Sequence, residues 1–194
     1  MAISTSKSLE HWNYFLALEK DLENLSRYVE FCQSNFNCYS IEMARILLAS
    51  ASEVDVIAKQ VCKQLNLDSK ADKIHQYRNE IKREYPQIPG FKVKIPRYGL
   101  TLTPWLNWNK NRFVPIWWTA YNKVKHHRNI DFIKANLENV LNAVSGLFVI
   151  TLYYYKEQAE NAKLIPVQSL LRTSEEHFGE AVFNGVEFGI RYNL

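Results

Sequence analysis

Residues 139–155 read NVLNAVSGLFVITLYYY, seventeen positions without a charge. Such a run is either a bilayer span or the interior helix of a bundle. Its length sits at the short limit of the roughly 17–25 residues a span needs. It is also interrupted by Asn139, Asn142, Ser145, Gly146 and Thr151. The pattern therefore predicts a core helix, apolar all round because neighbouring helices cover all of it. A core helix needs those neighbours, and the sequence on either side supplies them.

Working back toward the start, residues 6–31 place Leu9, Trp12, Phe15, Leu18, Leu22, Leu25 and Val29 at helical spacing, with Ser6 or Ser8 available as a cap. Ser40 then caps a second helix, with Glu42 in its first turn and an apolar stripe from Ala44 to Leu65 that includes small residues. The short polar connection predicts that these two helices form an antiparallel hairpin. A third, more polar helix starts at Asp68 or Ser69, buries Ile74, Tyr77, Ile81 and Tyr85, and ends at Pro86.

Residues 86–115 differ in kind, holding five of the six prolines. Val93 and Ile95 alternate with lysines, Leu100 and Leu102 flank Thr101, and Pro96-Arg97-Tyr98-Gly99 lies between them as a turn. A small β-hairpin followed by an irregular arm bearing Trp105 and Trp108 is expected. Pro115 suits the first position of a fourth helix running to about residue 128. Asn129 or Asp131 begins a fifth, which contains the uncharged run, reaches about residue 162 and is closed off by Pro166. Asn184-Gly185 between Ala181-Val182-Phe183 and Val186-Glu187-Phe188 predicts a C-terminal hairpin, a candidate partner for the first one. The expected fold is mainly α: one domain over residues 1–194, a five-helix bundle with an inserted β-hairpin and Trp-rich arm (about 86–115) and a C-terminal extension (about 163–194).

The net charge of +4 is unevenly spread. Between Tyr85 and Ile130 there is no Asp or Glu, yet eight of the 24 cations lie there, leaving 16 against 20 acids elsewhere. Such a segment favours an anionic partner, or is simply a solvated basic loop. Cys32, Cys38 and Cys62 lack metal-type spacing, and free thiols suit a reduced, cytoplasmic setting. No basic head followed by an apolar run opens the chain, so neither a secretory leader nor a membrane partner is expected. No Gly-rich phosphate loop or Gly-x-Ser-x-Gly elbow is present, and no metal or cofactor is expected.

Residues 115–128, PIWWTAYNKVKHHR, carry the candidate chemistry. Asn122 and His126 stand four apart, one turn apart on one helix face. Lys123 and Lys125 flank them, and His127 and Arg128 follow. A histidine moves protons near neutral pH and cations hold phosphate, a combination that suits metal-independent cleavage of RNA. The plain alternative is a helix end enriched in cations by its dipole. Lys110 and Arg112, beside the tryptophans, would extend a nucleic-acid surface. Four Trp so close together (Trp105, Trp108, Trp117, Trp118) otherwise read as core, with one of the adjacent pair left partly exposed. His11, His75 and His177 stand isolated and read as structural.

The segment Tyr121-Asn122-Lys123-Val124-Lys125-His126 resembles the signature helix of HEPN domains, as does the layout of two long helices, a variable insertion, a short motif helix and a long final helix. Ala51-Ser52-Glu53-Val54-Asp55 is similar to the acidic-apolar helix of that family. The resemblance spans about residues 8–160. It implies a metal-independent ribonuclease, or an inactive nucleic-acid-binding relative, of bacterial defence or stress systems such as toxin–antitoxin pairs. It also implies a homodimer with two motifs in one cleft, an antitoxin or other protein partner, catalytic His126 and polar Asn122. The motif's usual Arg is replaced by Tyr121, and members without that Arg are expected to bind without cutting. Two further readings stand beside it: a non-enzymatic interaction module that docks a protein through the basic, Trp-rich insertion, and a small-molecule nucleotide binder.

Overall fold

The computed structural model describes residues 8–110, 114–183, 185 and 187–194. Four long helices make its centre: α1 (Glu10–Leu25), α2 (Ile41–Leu65), α4 (Ile116–Asp131) and α5 (Leu137–Tyr154). Two shorter ones flank them, α3 (Ile74–Glu84) and α6 (Lys156–Glu160). The mainly α expectation is met, with two small antiparallel sheets added.

The uncharged run is the core helix. In α5 every residue from Val140 to Tyr153 except Asn142 is buried. Asn136 caps it, accepting from the Asn139 backbone N–H at 3.1 Å. By length and composition α5 could cross a membrane, but 83% of it is buried inside the protein. Its main partner is α2. The two run parallel: Tyr39 bridges Asn136 where they start, and the Tyr154 hydroxyl donates to Gln60 near their ends, at 2.8 Å. Ala51 and Ala58 of α2 are fully buried, as its small-residue stripe predicts. Met43 N–H reaches the Ser40 hydroxyl at 3.1 Å, so the predicted cap of α2 is in place.

The first helix is antiparallel to α2, since His11 meets Gln60 while Asp21 meets Arg45. It is shorter than its periodicity. Leu25 is its last residue, and Ser26 turns back onto the Glu23 carbonyl at 2.7 Å. Ser8 does not cap it; its hydroxyl accepts from Asn13, and Ser6 lies outside the described residues. The third helix starts later than expected, at Ile74. There the Gln76 side chain accepts from the backbone N–H groups of Asp72 and Lys73, and Ser69 serves the preceding turn instead. The expected fifth helix is divided. Residues Phe132–Lys134 form a 3-10 turn before α5, and α6 follows a break at Tyr155.

The inserted hairpin forms as read, β1 (Val93–Ile95) against β2 (Leu100–Leu102), with Gly99 at φ 63° closing the turn. A third strand, β3 (Arg172–Thr173), joins the free edge of β1. The C-terminal hairpin, β4 (Phe178–Phe183) with β5 (Phe188–Tyr192), stands as its own sheet. The inserted hairpin therefore pairs with the segment before the C-terminal hairpin, because β1 offers a short edge that two residues fill.

The Trp-rich arm is core. Trp105, Trp108 and Trp117 are sealed from solvent and Trp118 nearly so, which corrects the expectation that one of the adjacent pair stays exposed. Trp117 Nε1 donates to the Pro104 carbonyl at 2.8 Å and lies on Gly146, while Trp118 packs toward Tyr121. Two helix faces are buried at once because α4 lies in the furrow between α2 and α5.

Candidate nucleic-acid interface

The fourth helix shows solvent one long ridge. Asn122, Lys123, Lys125, His126, His127 and Arg128 are all exposed, while Trp117, Trp118, Ala120, Tyr121 and Val124 face inward. At His127 the backbone leaves helical geometry (φ −136°, ψ 40°), so the ridge bends where its last cations begin.

Beside that bend a groove of about 800 Å³ opens between α4 and the first turns of α2. Lys125, His126 and Arg128 line it, over an apolar floor of Ala44, Leu48 and Val124. None of its lining residues is an acid. Among the described residues, no carboxylate is paired with Lys125, His126 or Arg128. The two cations and the imidazole are therefore open to a ligand. The His126 and His127 ring centroids are 6.4 Å apart.

The sequence pairing of Asn122 with His126 is not what the structure assembles. The Asn122 amide donates to the Trp118 carbonyl one turn back, at 3.1 Å, a local bond that turns it away from His126. It lines a separate cleft of about 330 Å³, with Tyr121, Lys125, Asp55 and Ile74. Lys125 serves both cavities. Its ammonium group donates to the Tyr121 hydroxyl at 3.3 Å and sits 5.4 Å from the Tyr121 ring centroid. A cation thus occupies the neighbourhood of position 121 although residue 121 is not one.

Lys123 turns to the other flank of α4 and faces the start of α5. Lys110 follows the 3-10 turn Leu106–Asn109, whose Trp108 carbonyl accepts from Arg78 at 3.0 Å and Lys82 at 3.1 Å, both on α3. Trp117 fixes the other side of the arm, so the insertion packs at the N-terminal end of α4. His126 is nine residues further on, about 14 Å along a helix. Arg112 lies outside the described residues.

The sequence marks Tyr77 only as a buried position and Asp55 only as part of an acidic-apolar stretch, and the structure joins the two. The Tyr77 hydroxyl, on α3, donates to Asp55 of α2 at 2.9 Å, and Lys59 pairs with the same carboxylate at 2.5 Å. Burial, then the adjacent Asp55 carboxylate, pushes the Tyr77 phenol far above its ordinary pKa, so it remains a hydrogen-bond donor. The only signal for Asp55 in the sequence is its place beside Glu53 on an otherwise apolar stripe.

His11 is not isolated. Its Nδ1 meets Glu53 at 2.5 Å, its Nε2 meets Gln60 at 2.9 Å, and Tyr154 completes the chain through Gln60. The group ties α1 to α2 and α5, at the opposite end of α2 from the His126 groove. Comparison with protein-family models, curated proteins and solved structures finds no match for this chain.

Proposed function

We propose that the chain is a HEPN-like, RNA-directed protein that holds a ribose–phosphate segment in the groove between the bend of α4 and the first turns of α2. The observation that carries this reading is the charge of that groove: an imidazole and two cations face solvent over an apolar floor, and no acid lines it. A phosphate is the ligand such a surface suits, and an imidazole beside it supplies acid–base chemistry.

The reaction class is transesterification without a metal. His126 takes the proton of a ribose 2′-hydroxyl, O2′ bonds to phosphorus, and the bond from phosphorus to O5′ breaks. The products are a 2′,3′-cyclic phosphate and a 5′-hydroxyl, and a second acid must return a proton to O5′. His127, or His126 of a second copy sharing the cleft, supplies it. Lys125 and Arg128 hold the phosphoryl oxygens as charge builds. Lys125 also compensates for Tyr121, since its ammonium group already rests on that hydroxyl.

The test is incubation of the protein with mixed RNA in EDTA beside His126→Ala. Cleavage ending in a cyclic phosphate, reduced at least 100-fold in the variant, supports the ribonuclease. Absence of cleavage with retained binding that weakens steeply with salt identifies a binding relative. Absence of both removes RNA from the account.

A further inference from the structure

We infer that the opposite flank of α4 is a docking groove for an acidic amphipathic helix of a protein partner. Two adjoining cavities, of about 920 and 140 Å³, run along the α4–α5 seam and share Asn107, Ile116, Glu138 and Asn139. Together they make one channel between two packed helices, the shape into which a third helix settles.

Its walls are apolar and open. Ile116 is 66% exposed, Ile133 58% and Leu106 55%, large side chains left open among the described residues. Ile116 to Lys123 covers seven residues, about 10 Å of helix, so the channel matches roughly two turns of a partner and its i, i+3/i+4 and i+7 anchors.

Charge selects the partner. Lys123 and Lys134 stand on the rim, against Glu138 as the one acid among the described residues that line the channel. Lys123 has no carboxylate partner among the described residues, and Lys134 reaches Asp131 only at 3.9 Å. A second copy of this chain docking through the same face would set lysines against lysines about a twofold axis, which disfavours it. A polyanion such as RNA would satisfy the lysines but leave the three exposed apolar side chains uncovered. A helix with leucines on one face and glutamates beside them satisfies both.

The surface does not depend on the RNA reading, because His126 and Arg128 line the other flank. The test is fluorescence anisotropy on the intact protein with two synthetic helical peptides. Both carry leucines at i, i+3/i+4 and i+7; one is flanked by glutamates, the other by lysines. The acidic peptide is expected to bind saturably, and the basic one at least tenfold more weakly. Ile116→Glu and, separately, Ile133→Glu should each weaken the acidic peptide at least tenfold, while His126→Ala leaves it unchanged. Ile116 stands in the first turn of α4, where a carboxylate suits the helix dipole, so that variant should keep its fold. Equal binding of the two peptides, or affinity indifferent to both isoleucine variants, overturns the proposal. So does a dimer in light scattering that Ile116→Glu dissolves, which gives the face to a second copy. Displacement of the peptide by RNA, with RNA binding lost in Ile116→Glu, gives it to nucleic acid instead.

Discussion

At Gly146 the α4–α5 seam leaves no room for a side chain: a Cβ there would lie 2.8 Å from Trp117 Cζ2. The indole is also tied to the Pro104 carbonyl, so it cannot simply slide away. Gly146→Ala should therefore cost about 1–3 kcal/mol, as overpacked cores do. Urea unfolding measures that cost, and a smaller cost for Gly146→Ala in a Trp117→Phe background would assign it to the ring. In the sequence this glycine shows only as an interruption of an apolar run, because its partner lies 29 positions away. The same limit hid the His11–Glu53 pair, since a single histidine says nothing about a carboxylate 42 positions away on the next helix. Acid behaviour is set at this scale too. Lys20 first, and then the Ser169 hydroxyl, hold the Glu23 carboxyl below its usual value of 4.5. A depressed folded-state pKa adds stability that is present above about pH 4.5 and disappears as pH falls through the folded value. Glu23→Gln should accordingly flatten the loss of stability below pH 4.5, read as thermal midpoint against pH.

Some boundaries were legible because one residue's chemistry decides them, although the Asn136 cap of α5 was not among them. Ser40 caps α2 because its hydroxyl accepts the Met43 N–H that no helical carbonyl can serve. Ser40→Ala should cost about 0.5–2 kcal/mol in urea unfolding, with Ser40→Asp retaining most of the stability. Boundaries set by distant contacts were not legible. The periodicity of the first helix runs on past Leu25, yet the helix stops there, and Val29 packs against the core from an irregular turn. β3 is two residues long and has no pattern of its own; it exists because β1 presents a matching edge. The fourth helix shows the same division for the candidate site. Sequence spacing put Asn122 and His126 on one helix face, but it could not show that the Trp118 carbonyl would claim the amide or that Lys123 would face the other way. What was legible was which residues the ridge carries; which groove each one serves depends on α2 and α5.

At the scale of the molecule, the C-terminal extension proves to be part of the core. Glu19 of α1 is 2% exposed, and its carboxylate accepts from the backbone N–H groups of Ser169, Leu170 and Leu171 at 2.8–3.0 Å. Trp12 Nε1 donates to the Pro166 carbonyl at 2.8 Å, and Leu171, Ile190 and Tyr192 are buried against the bundle. Glu19 alone on an apolar helix face looks like a misplaced surface charge, and it is tolerated because the extension surrounds it with donors. Glu19→Gln turns an amide NH₂ toward one of those N–H groups, leaving donors unpaired in a dry site, and should destabilise the full chain by about 1–3 kcal/mol. Ending the chain after Lys163 should do more. It uncovers the α1 face bearing Trp12 and Phe15, strips β1 of its β3 partner, and returns Glu19 to water beside exposed aromatic rings. The shortened chain should bind a hydrophobic dye and lose its sharp urea transition. An unchanged midpoint would mean instead that the helical unit stands without its C-terminal segment, and that the Glu19 contacts follow folding rather than support it.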